Sequence, residues 1–145
     1  PTSSVFSVGN QSDINADGYT YVAYCFADVQ GYSKFGTYTG NGSTDGAFVY
    51  TGFKPALVIL KKNSSAGTDW QLYDDKRLGY NGGDRSLAPN TTAAEETGQG
   101  KIDFLSNGFK LRTTSANQNA SALYVYMAFA EEPLVSTNGN AATAR

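Results

Sequence analysis

Histidine is absent from the 145-residue sequence, cysteine occurs once, and no long apolar run is present. Without histidine the commonest general base is missing, which excludes Ser-His and Cys-His nucleophilic chemistry. The single Cys25 cannot form a disulfide within the chain, so we interpret it as a small residue buried in a strand. No stretch is long and apolar enough to cross a bilayer, and we expect no membrane insertion.

Basic charge is also scarce. The 11 Lys and Arg residues and the 13 Asp and Glu residues give a formal net charge of −2. Surfaces that bind nucleic acid neutralise phosphates with clustered basic side chains. The composition therefore argues against nucleic acid as a partner.

Carboxylates remain as candidates for acid–base catalysis. Glycoside hydrolysis, for example, needs two of them about 5–10 Å apart in one cleft. The residues that could supply such a pair are Asp74, Asp75, Glu95, Glu96 and Asp103. Their spacing singles out no pair, and the two adjacent aspartates precede Lys76 and Arg77, which is typical of a surface ion-pair cluster. We therefore predict that the protein is not an enzyme.

Aromatic and small polar residues are abundant instead. The chain has ten Tyr, eight Phe and sixteen Gly. Aromatic residues favour strands, whereas Gly, Ser, Thr and Asn favour turns. The chain is long enough for one domain with a substantial core. We predict a single all-β domain over residues 1–133, a two-sheet β-sandwich of jelly-roll type, followed by a polar tail over residues 134–145.

A hairpin pattern over residues 107–131 occurs twice in the chain. Its second arm alternates in period two after a polar turn, which indicates a strand. When Phe6 is aligned on Phe109, Tyr21 falls on Tyr124, and four further identical or similar positions follow. We predict two equivalent hairpins in one sandwich, with their arms as central strands. The alternative is that residues 1–28 are the end of a preceding unit of the same type.

The remaining strands are predicted from short apolar or alternating runs over residues 34–39, 47–50, 56–60, 70–73, 85–88 and 102–105. The run over 56–60 is continuously apolar, which is typical of a strand buried on both faces. The predicted core consists of Val22, Tyr24, Phe26, Leu57, Ile59, Trp70, Val125, Met127 and Phe129.

One stretch has the spacing of a calcium-binding loop. Asp13, Asn15 and Asp17 alternate along the chain, and Gly18 follows them. Tyr24, however, stands where such a loop has its glutamate. Calcium is the one candidate cofactor. The alternative is a polar turn between strands.

Several motifs, taken in order, resemble an uncharacterised domain found at the C-terminal ends of tailed-bacteriophage structural proteins, especially tail-fibre-like proteins. The motifs are Tyr21–Asp28, Gly31–Gly36, Tyr38–Ser43, Gly52–Pro55, Trp70–Asp74, Phe104–Arg112 and Tyr124–Glu131. The resemblance implies a concanavalin-like or jelly-roll-like fold, units in tandem, and no catalytic residues that can be carried over. It also implies that residues 1–28 end an upstream unit and that the tail ends the protein.

The same resemblance implies a location in the virion and a fibre-tip domain that binds a glycan or receptor on the host surface. Its partners would be its own subunits, as a homotrimer, and other virion proteins. Sugars stack on aromatic rings while polar side chains meet their hydroxyls. The loop residues with that chemistry are Tyr32, Tyr38, Asn41, Asp45, Tyr80, Asn81 and Asp84. The alternative is a capsid decoration or cement protein that binds only its neighbours.

Overall fold

The computed structural model describes residues 2–63, 67–77, 85–98 and 101–131. These ranges contain α1 (Ser12–Asn15), β1 (Ser33–Thr39), β2 (Phe48–Tyr50), β3 (Leu57–Lys62), β4 (Gln71–Asp74), β5 (Ile102–Leu105), β6 (Gly108–Leu111) and β7 (Leu123–Phe129). One antiparallel sheet has the strand order β1-β7-β3-β4, and the other has the order β2-β6-β5. The prediction of an all-β, two-sheet sandwich is confirmed. The predicted tail over 134–145 lies outside the described residues.

Most predicted strands form close to their predicted positions, but the strands of the first hairpin and the run over residues 85–88 do not. The run over residues 85–88 makes only isolated bridges, from Ser86 to Glu96 and from Leu87 to Leu72. Within the described ranges, no helix has the length and apolar character needed to span a membrane.

The core between the sheets is rich in aromatic rings. It consists of Tyr38, Val49, Phe53, Val58, Leu60, Tyr73, Ile102, Phe104, Phe109, Leu111, Tyr124, Tyr126 and Ala128. Tyr38 stacks on Tyr124 with ring centroids 5.0 Å apart, and Phe109 meets Tyr126 edge-on at 5.5 Å. Offset-stacked and edge-on pairs are the arrangements that aromatic quadrupoles favour. Ring geometry therefore contributes to the way the two sheets pack.

The inward faces of β3 and β7 differ from the prediction. Val125, Met127 and Phe129 are half-buried on the outer face, as are Leu57 and Ile59, while the alternate residues of both strands fill the core. Both faces of these central strands are apolar, so alternation alone could not identify the inner one.

The outward residues still pack together, because directly paired residues of antiparallel strands share a face. One row across the four strands is Phe35, Met127, Ile59 and Leu72. Trp70, also predicted in the core, is half-buried just before β4.

The predicted first hairpin does not form, and this is the largest correction. Residues 2–28 contribute no strand to either sheet. Val22, Tyr24 and Phe26 are 79, 82 and 59% exposed, and Cys25 is exposed as well rather than buried. The physical reason is occupancy, since β7 already lies between β1 and β3, and β6 between β2 and β5. A single sandwich has one place for each of these strands, and the second copy of the repeat fills both.

We predict that the two copies contribute very differently to stability. Phe109→Ala should lower the free energy of unfolding by about 3–5 kcal/mol, because it empties a fully buried aromatic site. The matched substitution Phe6→Ala should change it by less than about 0.5 kcal/mol, since Phe6 is exposed. Urea denaturation measures both values. Similar losses for the two variants would contradict the assignment of the second copy as the structural one.

Candidate binding groove

Asn41, predicted to contact ligand, holds a turn instead. Its Oδ1 accepts hydrogen bonds from the backbone N of Ser43 (3.0 Å) and from Nδ2 of Asn119 (3.0 Å). Its Nδ2 donates to the backbone O of Asp45 (2.9 Å). Asn119 is fully buried, and its Oδ1 in turn accepts from the Asn41 backbone N (3.1 Å). The side-chain groups of Asn41 are therefore committed to loop structure.

Asp45 lies in the same loop and is exposed. Its carboxylate pairs with Lys110 at 2.6 Å and with Arg112 at 3.9 Å. The hydrogen bond from Lys110 lowers the pKa of Asp45 below its ordinary value. This carboxylate is an ion-pair partner for β6 and the residue after it.

Among the residues predicted to bind ligand, those that the structure describes do not form one site. Tyr38 is buried in the core and cannot stack on a sugar, which corrects that part of the prediction. Tyr32 is partly exposed, but it precedes β1 whereas Asn41 follows it. Seven strand residues separate the two ends by roughly 20 Å. The remaining three, Tyr80, Asn81 and Asp84, lie outside the described residues.

A groove of about 380 Å³ lies elsewhere, at the point where the N-terminal segment (residues 2–28) meets the sandwich. Residues 28–31 with Ser33 and Lys34 form one wall, and residues 50–52 form the other. The first wall is a tight turn in which Val29 and Ser33 exchange backbone hydrogen bonds of 3.0 and 2.9 Å. Gly31 has a φ of 75°, which a residue without Cβ adopts readily.

The groove combines an aromatic ring with fixed charges. Tyr50, at the end of β2, is 65% exposed. Asp28 and Lys34 form an ion pair at 2.5 Å, and the Asp28 carboxylate also accepts from the backbone N of Phe35 at 2.8 Å. The hydrogen bond from Lys34 and then that from Phe35 lower the pKa of Asp28, and the same pair raises the pKa of Lys34. Both groups are therefore ionised at neutral pH.

The carboxylates that were considered for catalysis each have a cationic side chain within salt-bridge distance. Arg77 binds Asp74 at 2.5 Å and Glu95 at 2.6 Å, and Arg85 binds Glu95 at 3.0 Å. The hydrogen bond from Arg77 lowers the pKa of Glu95, whereas a general acid needs a raised pKa. The remaining pairs are Asp103 with Arg112, Glu96 with Lys101, and Asp75 with Lys76. The prediction of a surface ion-pair cluster at 74–77 is confirmed.

The residues of the predicted calcium loop adopt another local structure. Asp13 and Asn15 belong to the one-turn helix α1, and Asp17 follows it. Side chains two residues apart on a helix do not face each other. The described residues contain no group of three or more His, Cys, Asp or Glu that could hold a metal ion. Calcium binding stays an untested prediction.

The sequence interpretation missed the groove because its walls are 16 or more residues apart in the chain. One usable signal was present. Phe48 and Tyr50 flank the buried Val49 in an alternating strand, so both point away from the core.

We predict that the carboxyl of Asp28 titrates below the ordinary aspartate value of 3.8. Because its pKa is lowered by folding, the stabilisation is present above the unfolded pKa and is lost as pH falls through the folded pKa. Lys34→Met should raise the midpoint toward 3.8, and Lys62→Met serves as the control that should leave it unchanged. Side-chain carboxyl ¹³C NMR measures the midpoint. An unchanged midpoint in the Lys34 variant would contradict the ion pair.

Residues 1–133 match the family described as Domain of unknown function (DUF7483). A search of curated proteins and a search of solved structures each returned no match. The match covers nearly all of the chain, including the N-terminal segment and every strand of both sheets. The chain therefore belongs to this family of domains of unknown function.

Proposed function

We propose that this chain is a virion structural domain of a tailed bacteriophage, of the tail-fibre-tip type, that binds a glycan on the host surface and catalyses no reaction. The observation that carries the binding part is the groove, which is lined by the exposed Tyr50 and by the Asp28–Lys34 pair. The phage context is supported by the ordered motifs that resemble phage domains.

The groove has the chemistry that a sugar requires. The C–H face of a pyranose stacks on an aromatic ring, and Tyr50 offers one at the groove wall. The carboxylate of Asp28 accepts hydrogen bonds from hydroxyls, and the ammonium of Lys34 donates them. About 380 Å³ lies within the size range of small-ligand sites, roughly 300–1,000 Å³. Because the charged pair is already formed, binding needs little rearrangement.

A second candidate function, a structural role in the virion without receptor binding, is favoured by a different observation. The N-terminal segment exposes Val22, Tyr24 and Phe26 in one stretch. Exposed apolar stretches of this kind mark surfaces that partners cover. A decoration or cement protein of the capsid, in contact only with its neighbours, would use such a surface.

We predict that Tyr50→Ala weakens binding of the purified chain to host cells or to a glycan array by roughly tenfold or more, as loss of an aromatic binding residue does. Phe48→Ala is the matched control, because Phe48 is exposed on the same strand but does not line the groove. Tyr50→Trp should keep binding, since it retains a ring for stacking. Equal binding by all three variants would rule out the groove as the receptor site. A position on the capsid shell without competition for phage adsorption would favour the structural role.

We also propose a homotrimer, which is supported by the resemblance to fibre proteins. Static light scattering of the intact chain at micromolar concentration should give three times the chain mass of 15.4 kDa. A monomer mass would count against this assembly and would leave the groove assignment unaffected.

A further inference from the structure

The turn before β7 is closed by a tyrosine hydroxyl. Oη of Tyr124 accepts a hydrogen bond from the backbone N of Ala120 (2.9 Å) and donates one to the backbone O of Ala116 (2.8 Å). Tyr124 is fully buried, and it is the first residue of β7 that points into the core. Its hydroxyl therefore links the polar turn to the central strand.

The N-terminal segment contains the same arrangement. Oη of Tyr21 accepts from the backbone N of Ala16 (2.8 Å) and donates to the backbone O of Ser12 (2.9 Å). The segment that the hydroxyl closes is one residue longer in the first copy, from Ser12 to Tyr21, than in the second, from Ala116 to Tyr124. The hydrogen-bond pattern is otherwise the same. The repeat is thus one of local structure as well as of sequence.

Burial is reversed between the two copies. Fully buried residues of the second copy include Phe109, Leu111, Asn119 and Tyr124. Their equivalents in the first copy are all exposed: Phe6, Val8, Asn15 and Tyr21. The first copy thus has the turn of the hairpin already formed, while the side chains that correspond to core residues are exposed. In this structure the first copy has no sheet in which its strand segments can pair.

We propose that residues 5–28 supply the β6 and β7 strands of a second β-sandwich unit of the same fold. The partner is a unit that provides equivalents of β1–β5 and leaves the β6 and β7 positions open. Another copy of this chain does not fit that description, because its own β6 and β7 occupy both positions with strands on either side. The interaction surface is the segment itself, with Phe6, Val8 and Tyr21 entering the core of the partner unit.

The end of the segment is fixed to the present sandwich. The Phe26 ring stacks on Phe35 with centroids 5.7 Å apart and meets Phe129 edge-on at 5.8 Å. The Asp28 carboxylate accepts from the backbone N of Phe35 at 2.8 Å. These contacts place the second unit beside the outer face of β1 and β7. The connection between the two units would be short and would be held on the outer face by the contacts of Phe26. A short, fixed connection would keep successive domains in a constant arrangement, as in a rod.

To test this proposal, a second set of strands β1–β5 is added to the same polypeptide. Residues 29–105 are placed before Ser3 of the full chain, so that Ser3 and Ser4 take the place of Ser106 and Asn107 in the turn between β5 and β6. Val5→Gly is included in both chains, because Val5 takes the place of Gly108, where a Cβ would lie 2.1 Å from the backbone O of Val49. Amide hydrogen exchange is measured by NMR in the full chain and in the extended chain. We expect the amides of residues 21–27 to exchange roughly 100-fold or more slowly in the extended chain, because they join a sheet. The amides of β7 should be protected in both.

Phe6→Ala combined with Tyr21→Ala is the control pair of substitutions. In the extended chain it should abolish the new protection, and in the full chain without extension it should leave the exchange of the β7 amides unchanged. The added residues should form a second cooperative unit only with the unsubstituted segment. Unchanged exchange over residues 21–27, or an extension that stays unfolded, would overturn the proposal. A dimer formed by exchange of β6 and β7 between chains would overturn it as well, and light scattering detects that outcome.

Discussion

The rest of the structure depends on the central position of β7. Paired on one side with β1 and on the other with β3, it supplies both neighbours with hydrogen bonds along their length. Its inward residues, Tyr124, Tyr126 and Ala128, form the middle of the aromatic core. A strand buried between two others can be present only once in a sheet. This constraint means that only one copy of the repeat can fold into the sandwich.

The polar turn before β7 makes that position specific. Asn119 is fully buried, and its Nδ2 donates to the backbone O of Ser43 and to that of Thr113, each at 2.8 Å. A buried amide is costly unless its groups are paired, so the turn and the loop after β1 fix each other. Gly46 makes this approach possible, since a Cβ there would lie 2.3 Å from the backbone O of Leu111. The loop after β1, which was predicted to bind ligand, thus holds the turn before β7 in place.

Binding and assembly would meet at one place on the molecule. The groove begins at Asp28, where the N-terminal segment ends, and Phe26 packs on the outer sheet face two residues earlier. A unit completed by residues 5–28 would therefore lie next to the groove. Glycan binding and the joining of successive units would then share the same short connection, and the Asp28–Lys34 pair would contribute to both.

Composition and period-two alternation determined the all-β class, the position of most strands and the existence of the repeat, because these depend on local preference and on residue spacing. The buried face of β7 was decided by tertiary structure, since Val125 and Tyr126 are both apolar enough for burial and only packing against the second sheet separates them. The sequence did not reveal the groove either, because Tyr50 and Asp28 are far apart in the chain and line one groove only in the folded protein. The sequence alone showed two copies of one hairpin. Only one of them could enter the sandwich, because the sheet has a single position between β1 and β3, and no local sequence pattern contains that information.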